Sequence, residues 1–254
     1  MKRKFVLLMV LLMACAGTSQ AWNTATDWSE TNPDPATPWT YGSLTEIDGS
    51  GSFITYDAFI SHGTQYNLWC KAYTPEQPHV GKSYQTTIYE DDGMYLPAGM
   101  TYAHPFGPDD DPEGKTWAVY RFTAPQDGLY QIDAEFFGLN HADPAGAESF
   151  TTTDVHVLLN SGTSSIYDGY VSGFYNYGGQ CTVDDTFGTS PYQSFSGTIS
   201  LLANETIEFV IGSGDDHYWY DITGVNATVN LIPEPATLTL LGLSSLMLLR
   251  RRKI

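Results

Sequence analysis

Tyr130-Gln131-Ile132-Asp133-Ala134-Glu135-Phe136 alternates apolar and polar residues without a break. Side chains point to opposite faces at each step along an extended chain. Tyr130, Ile132, Ala134 and Phe136 therefore share one face, and Gln131, Asp133 and Glu135 share the other. The stretch predicts a strand buried on one side. The same reading applies on both sides of it. Trp117, Val119 and Arg121 alternate with Ala118, Tyr120 and Phe122. Thr153–Leu159 sets Val155, Val157 and Leu159 against Asp154 and His156. Phe195, Gly197, Ile199 and Leu201 alternate with hydroxyl residues. Ile207, Phe209 and Ile211 follow a turn at Ala203-Asn204-Glu205, and Val225, Ala227, Val229 and Leu231 close the series. Phe53–Phe59 and Gln65–Ala72 read as earlier strands.

No stretch of this body sustains an apolar period of 3.6. Gly, Asn, Asp and Pro turns separate the strands, and no helical pattern intervenes. That combination predicts an all-β fold of two antiparallel sheets packed as a sandwich, jelly-roll-like in outline. It excludes a doubly wound sheet and a TIM barrel, and the lack of a fixed-period repeat disfavours a propeller or solenoid. Residues 22–112 are proline-rich with few clear strands, so they are expected to join 113–232 in one sandwich rather than fold alone.

The chain has 254 residues, with 29 acidic and 11 basic side chains, 42% hydrophobic and 14% aromatic. It is long enough for a sizeable core, and such aromatic content argues against disorder. Seven of the eleven basic residues lie at the two ends. Between Trp22 and Ile232 stand only Lys71, Lys82, Lys115 and Arg121, against 28 acids, a net charge of −24. Nucleic acid is excluded as a partner.

The ends read as addresses. Lys2, Arg3 and Lys4 precede an apolar run from Phe5 to Ala16, and Ser19-Gln20-Ala21 offers small residues before Trp22. This predicts a signal peptide over 1–21, removed by signal peptidase after Ala21. Leu12-Met13-Ala14-Cys15 is an imperfect lipobox and leaves cleavage at Cys15 as the other reading. At the far end, Pro233-Glu234-Pro235 leads into the apolar run Ala236–Leu249 and then Arg250-Arg251-Arg252-Lys253. Fourteen residues of helix reach about 21 Å against a hydrocarbon core of about 30 Å, a short hydrophobic helix and a marginal span. The basic cluster would stay cytoplasmic.

This arrangement resembles the PEP-CTERM sorting tail of bacterial surface proteins, through Pro233, Glu234, Pro235, the run to Leu249, and Arg250, Arg251 and Arg252. The resemblance implies that an exosortase-type membrane protease recognises residues 233–254. It also implies an exported product, transiently anchored in the inner membrane and then at the cell surface or outside. An ordinary tail anchor is the competing reading. Cysteine use fits export. Cys70 and Cys181 would remain, 111 residues apart. They either pair, a gain of about 4–5 kcal/mol in the chain-entropy view, or stay as two buried thiols.

The body carries a second resemblance. Trp117-Ala-Val-Tyr-Arg-Phe-Thr-Ala-Pro125, Asp127-Gly-Leu-Tyr130, Phe136-Phe-Gly138, Thr151–Leu158, Ser196-Gly-Thr-Ile199, Glu205–Gly212 and Tyr220-Asp-Ile-Thr-Gly224 occur in order. Together they resemble a β-sandwich domain of exported PEP-CTERM proteins of the planctomycete type. The segment around Tyr175–Pro191 is an insertion relative to it. The start of this region is also similar to the jelly rolls of complement-type globular heads. Neither resemblance supplies an activity.

Candidate chemistry is sparse. Asp154 and His156 share a strand face and could begin a metal site or an acid/base pair; the competing reading is a hydrogen-bonded structural pair. The acidic loops Glu90-Asp91-Asp92-Gly93, Asp109-Asp110-Asp111-Pro112-Glu113 and Asp215-Asp216 would suit Ca²⁺ but match no EF-hand spacing, and solvated surface is the alternative. Tyr170, Phe174, Tyr175 and Tyr177, then Tyr218, Trp219 and Tyr220, cluster in polar surroundings. Tyr175, Tyr177, Tyr218 and Trp219 are the candidates for a platform under sugar rings; otherwise they cap the core. Nucleophile, zinc-protease and phosphate-loop motifs are absent. The sequence thus points to a non-enzymatic exported module with a structural, adhesive or polysaccharide-binding role and no resident cofactor. A secreted carbohydrate-active hydrolase and a calcium-dependent surface assembly protein are the alternatives.

Overall fold

The structure, a computed structural model, describes residues 19–72, 78–89, 94–106, 116–140, 152–177, 187–214 and 221–233. The chain is all-β there, with two antiparallel sheets. The first sheet runs β15 (Tyr192–Leu201), β11 (Gly128–Gly138), β17 (Thr223–Ile232), β9 (Thr101–His104), β6 (His79–Ser83), β5 (Tyr66–Cys70) and β4 (Ala58–Ser61), with β1 (Gln20–Asn23) also paired to β17. The second runs β14 (Phe187–Ser190), β13 (Ser164–Phe174), β12 (Thr152–Leu159), β16 (Thr206–Ile211), β10 (Trp117–Thr123), β2 (Trp39–Leu44) and β3 (Phe53–Thr55). A ribbon of β7 (Thr87–Tyr89) and β8 (Met94–Leu96) stands apart.

The decisive alternation falls on β11. Tyr130, Ile132, Ala134 and Phe136 enter the main core, while Asp133 is exposed and Gln131 and Glu135 are half-buried. Facing them from the second sheet are Phe122, Val155, Val157, Phe209 and Ile211. Burying each large apolar side chain contributes about 1.5–3 kcal/mol. The rings interlock: Trp22 and Trp39 sit 5.3 and 5.5 Å from Phe122, and Phe122 sits 5.9 Å from Tyr130. Tyr120 reaches across the sandwich, its hydroxyl 2.6 Å from the Tyr102 carbonyl of the first sheet.

Among the described residues, the region before residue 105 holds nine strands, more than its sequence suggests. Strands β2, β5, β6 and β9 are buried along nearly their whole length. Strands covered on both faces have no polar side to alternate with, so the period-2 signal is lost. Phe53–Phe59 is not one strand. The chain leaves the second sheet after Thr55, bends at Tyr56-Asp57, and enters the first sheet at Ala58. Side-chain alternation cannot register a strand that changes sheets.

Each sheet has a distinct outer face. On the second, Leu44, Trp117, Val119, Leu158 and Val210 form a small core with Ile47 and Phe53. Arg121 lies in the same layer, its guanidinium 3.6 Å from the centroid of the Phe53 ring and 3.0 Å from fully buried Glu208. The first sheet is apolar outside around Met100, Tyr102 and Phe137. Over β15, β11 and the far half of β17 it is polar.

Residues 1–18 of the expected signal peptide, Cys15 included, lie outside the described residues, as do Glu234, Pro235 and the run through Arg250, Arg251 and Arg252. Among the described residues no helix is long and apolar enough to cross a membrane. Cys70 is buried on β5, and Cys181 lies outside the described residues.

Candidate functional site

Antiparallel register lines up the polar residues of β15, β11, β17 and β1 in rows. One row is Ser196, Asp133, Thr228 and Asn23. The next is Ser194, Glu135 and Asn226, and on the other side runs Thr198, Gln131 and Asn230. Each strand contributes its outward residues because each commits its alternate residues to the core.

Cross-strand hydrogen bonds hold these side chains. Ser196 Oγ donates to Asp133 Oδ1 at 2.7 Å, and Gln131 Nε2 donates to the same oxygen at 3.1 Å. Glu135 accepts from Tyr192 Oη and from Asn226 Nδ2, both at 2.7 Å. Asn23 Nδ2 donates to Asn226 Oδ1 at 3.0 Å and to Thr228 Oγ1 at 2.9 Å. Burial, and then the Glu135 carboxylate its hydroxyl meets, push the Tyr192 phenol above the ordinary range, so it stays protonated as a donor.

A cleft of about 240 Å³ lies over Asp133, Glu135, Tyr192, Ser194, Ser196 and Asn226. A smaller one of about 150 Å³ adjoins it, lined in part by Phe137, Tyr177 and again Asn226. Aromatic rings wall this end. Tyr177 stacks on Phe137 with centroids 4.9 Å apart, and Tyr175 lies 5.2 Å from Tyr192. No Lys or Arg occurs in β1, β11, β15 or β17. Chemically, this is an oriented array of neutral amides and hydroxyls with two carboxylate acceptors, bounded by apolar ring faces. It can exchange hydrogen bonds with a surface of hydroxyls and shelter C–H groups beside them.

Of the aromatic candidates, the structure brings Tyr175 and Tyr177 to this wall. Tyr170 stands 53% exposed on β13 in the other sheet, and Phe174 is fully buried. Tyr218, Trp219 and Tyr220 lie outside the described residues, as do the acidic loops with Asp91, Asp92, Asp109, Asp110 and Asp111, and Asp215 and Asp216. Sequence reasoning did not single out Asp133, Glu135, Tyr192, Ser196 or Asn226 as a site. The available signal was the polar half of each alternating strand, but register alone assembles the halves.

Asp154 and His156 meet on the outer face of the second sheet. His156 Nε2 lies 2.8 Å from Asp154, and Nδ1 lies 2.6 Å from Asp168 on β13. Asp154 also accepts from Trp117 Nε1 at 3.0 Å and from the Gly214 amide. Burial opposes the charge on His156, but the two flanking carboxylates outweigh it and raise the imidazole above its usual value. Burial likewise opposes ionisation of Asp154, yet the bonds from His156, Gly214 and Trp117 hold its carboxyl below the usual range. The two carboxylates address opposite nitrogens of one ring, so the three groups do not converge on a common point. Among the described residues no three His, Cys, Asp or Glu side chains are grouped to hold a metal ion. The arrangement is a hydrogen-bonded clamp joining β12, β13 and β10.

No family model matches the chain, and no curated protein does. Solved structures similar to it include rabbit GITRL, 17% identical over 52% of this chain and 94% of that one, with a TM-score of 0.26. The carbohydrate-binding module CBM51 from Clostridium perfringens GH95, solved with methyl-galactose, is 10% identical over 83% of this chain and 99% of that one, with a TM-score of 0.31. A module from Cellvibrio mixtus lichenase 5A, solved with cellotriose, is 12% identical over 58% of this chain and 86% of that one, with a TM-score of 0.26. These likenesses are weak, and none bears on the chemistry of the polar face.

Proposed function

We propose that this chain is an exported, non-enzymatic protein of the cell surface or extracellular matrix that holds a neutral polysaccharide on the outer face of its first sheet. An N-terminal signal cleaved by signal peptidase delivers it, and its PEP-CTERM tail passes it to an exosortase-type protease. The supporting observation is the set of registered polar rows on β15, β11, β17 and β1, with the rings of Tyr175, Tyr177 and Tyr192 at one end. Repeated hydroxyls with apolar C–H faces are the chemistry of a sugar chain. Asp133 and Glu135 on the face, and a net charge of −24 between Trp22 and Ile232, repel an anionic polymer.

The test is affinity electrophoresis of the full chain through gels containing xylan, mannan or β-glucan. Retardation by a neutral polymer is expected. Asp133→Ala and Tyr177→Ala should each weaken it by about tenfold, the loss of one well-placed polar contact or ring face. No retardation by any neutral polymer, or retardation unchanged in both variants, would overturn the binding role. Release of reducing ends, lost in Glu135→Gln, would make the protein a hydrolase instead. Fractionation of the native host addresses sorting. If the wild type and a Pro233/Glu234/Pro235 substitution both stay uncleaved in the inner membrane, the tail assignment is wrong.

A further inference from the structure

Strand β15 ends the first sheet, and among the described residues it pairs with β11 alone. The pairing covers ten consecutive residue pairs, Gly128↔Leu201 to Phe137↔Tyr192, without a shift in register. On the far side the backbone N–H and C=O groups of alternate residues point away from β11 along an edge without a bulge. Proteins usually protect such an edge with Lys, Pro, a bulge or brevity. Tyr192–Leu201 has no charged residue and no proline, although the body around it is strongly anionic.

Its sequence is also chemically palindromic. Ser194-Phe195-Ser196-Gly197-Thr198-Ile199-Ser200 reads hydroxyl, apolar, hydroxyl, glycine, hydroxyl, apolar, hydroxyl. We propose that two copies of this chain pair antiparallel through β15, about a two-fold axis through Gly197 and perpendicular to the sheet. In that register Ser196 stands opposite Thr198, Phe195 opposite Ile199, and Ser194 opposite Ser200 of the other copy. Hydroxyl pairs and an aromatic–β-branched pair are favourable cross-strand neighbours. Phe195 and Ile199 are only half-buried at this edge, and a paired copy covers them. A strand of unrelated sequence would gain nothing from the palindrome, which is why the occupant is a second copy. A two-fold axis of this kind keeps both outer faces on the same side and makes one sheet twice as wide. The pairing does not depend on what the polar face binds.

Sedimentation equilibrium of the full chain in density-matched detergent tests the pairing. A dimer is expected at about 100 μM, where even micromolar pairing is nearly complete. Ser196→Lys/Thr198→Lys puts like charges opposite each other across the seam at exposed positions and should give a monomer that keeps the wild-type circular-dichroism spectrum, with a melting temperature that no longer depends on protein concentration. Ser196→Glu/Thr198→Lys puts opposite charges there and should restore the dimer. A second measurement needs no charge change: chains carrying Ser196→Cys mixed with chains carrying Thr198→Cys should cross-link on oxidation, and neither alone should do so above wild type. A monomeric wild type, a dimer indifferent to the lysines, or no cross-link in the mixture would each overturn the proposal.

Discussion

Replacing Arg121 by methionine keeps a long flexible side chain in the layer and removes both the guanidinium over Phe53 and the charge that faces Glu208. The Glu208 side chain is fully buried, and the Arg121 side chain is 16% exposed. Among the described residues, the Thr206 hydroxyl and the surrounding backbone would then be left to support a carboxylate inside a packed layer of Leu44, Val119, Leu158 and Val210. Breaking one side of a buried pair costs about 3–5 kcal/mol, because the remaining charge loses its compensation. For a body of this size each kcal/mol lowers the melting temperature by roughly 2–4 °C, so Arg121→Met should lose roughly 6–20 °C at pH 7. Burial already raises the Glu208 carboxyl above its ordinary value, with Arg121 pulling it back down. Without Arg121 it rises further. A raised carboxyl pKa means that the charge costs stability above that pKa and costs nothing once both folded and unfolded states are protonated. The deficit against wild type should therefore be largest at neutral pH and shrink as pH falls toward about 4.3. Adding Glu208→Leu to Arg121→Met removes the stranded charge and should recover most of the loss, because an apolar pair of similar volume often matches a buried ion pair. Circular-dichroism melts of the three proteins between neutral and mildly acidic pH decide the matter. The reasoning fails if Arg121→Met melts within about 2 °C of wild type, or if the double variant melts as low as the single one.

Two further outcomes can be checked in the same assay. His156 has a raised pKa and Asp154 and Asp168 have lowered ones, so their clamp should stabilise most between the unfolded carboxylate and imidazole values, about pH 4 to 6.5. It weakens as pH rises through the folded pKa of His156 or falls through those of the aspartates; His156→Gln should flatten this profile, and an unchanged profile would count against the clamp. Gly138→Ala would drive a methyl into the backbone carbonyl of Gly173, where β11 meets β13, and should cost at least about 2–3 kcal/mol. Gly63→Ala, at a positive φ but in open space, should cost only about 1 kcal/mol. Equal melting of the two variants would contradict the close approach at Gly138.

The strands legible from sequence are those with polar residues along one face. Tyr130–Phe136, Thr153–Leu159 and Val225–Leu231 each declare which residues are inside, and β11, β12 and β17 contain them. Trp117–Phe122 is legible for another reason. Its outward residues Trp117 and Val119 are apolar too, so only the β-branched and aromatic content marks the strand. His79–Ser83 and Thr101–His104 carry no alternation, because both faces are covered. The site divided in the same way. Tyr175 and Tyr177 were visible as an aromatic cluster in a polar segment, whereas Glu135 gave no sign of meeting Tyr192 and Asn226, which lie 57 and 91 residues away in the chain.

Local periodicity, charge distribution and turn chemistry are short-range properties, so the sequence alone determined that the chain is all-β, that its strands turn back on one another, and that an anionic body lies between basic ends. Pairing partners and register are set by which distant strands bury their apolar faces together. Only the tertiary structure could therefore decide that β1 completes β17, that Arg121 stands over Phe53 and beside Glu208, and that four polar half-strands combine into one continuous face.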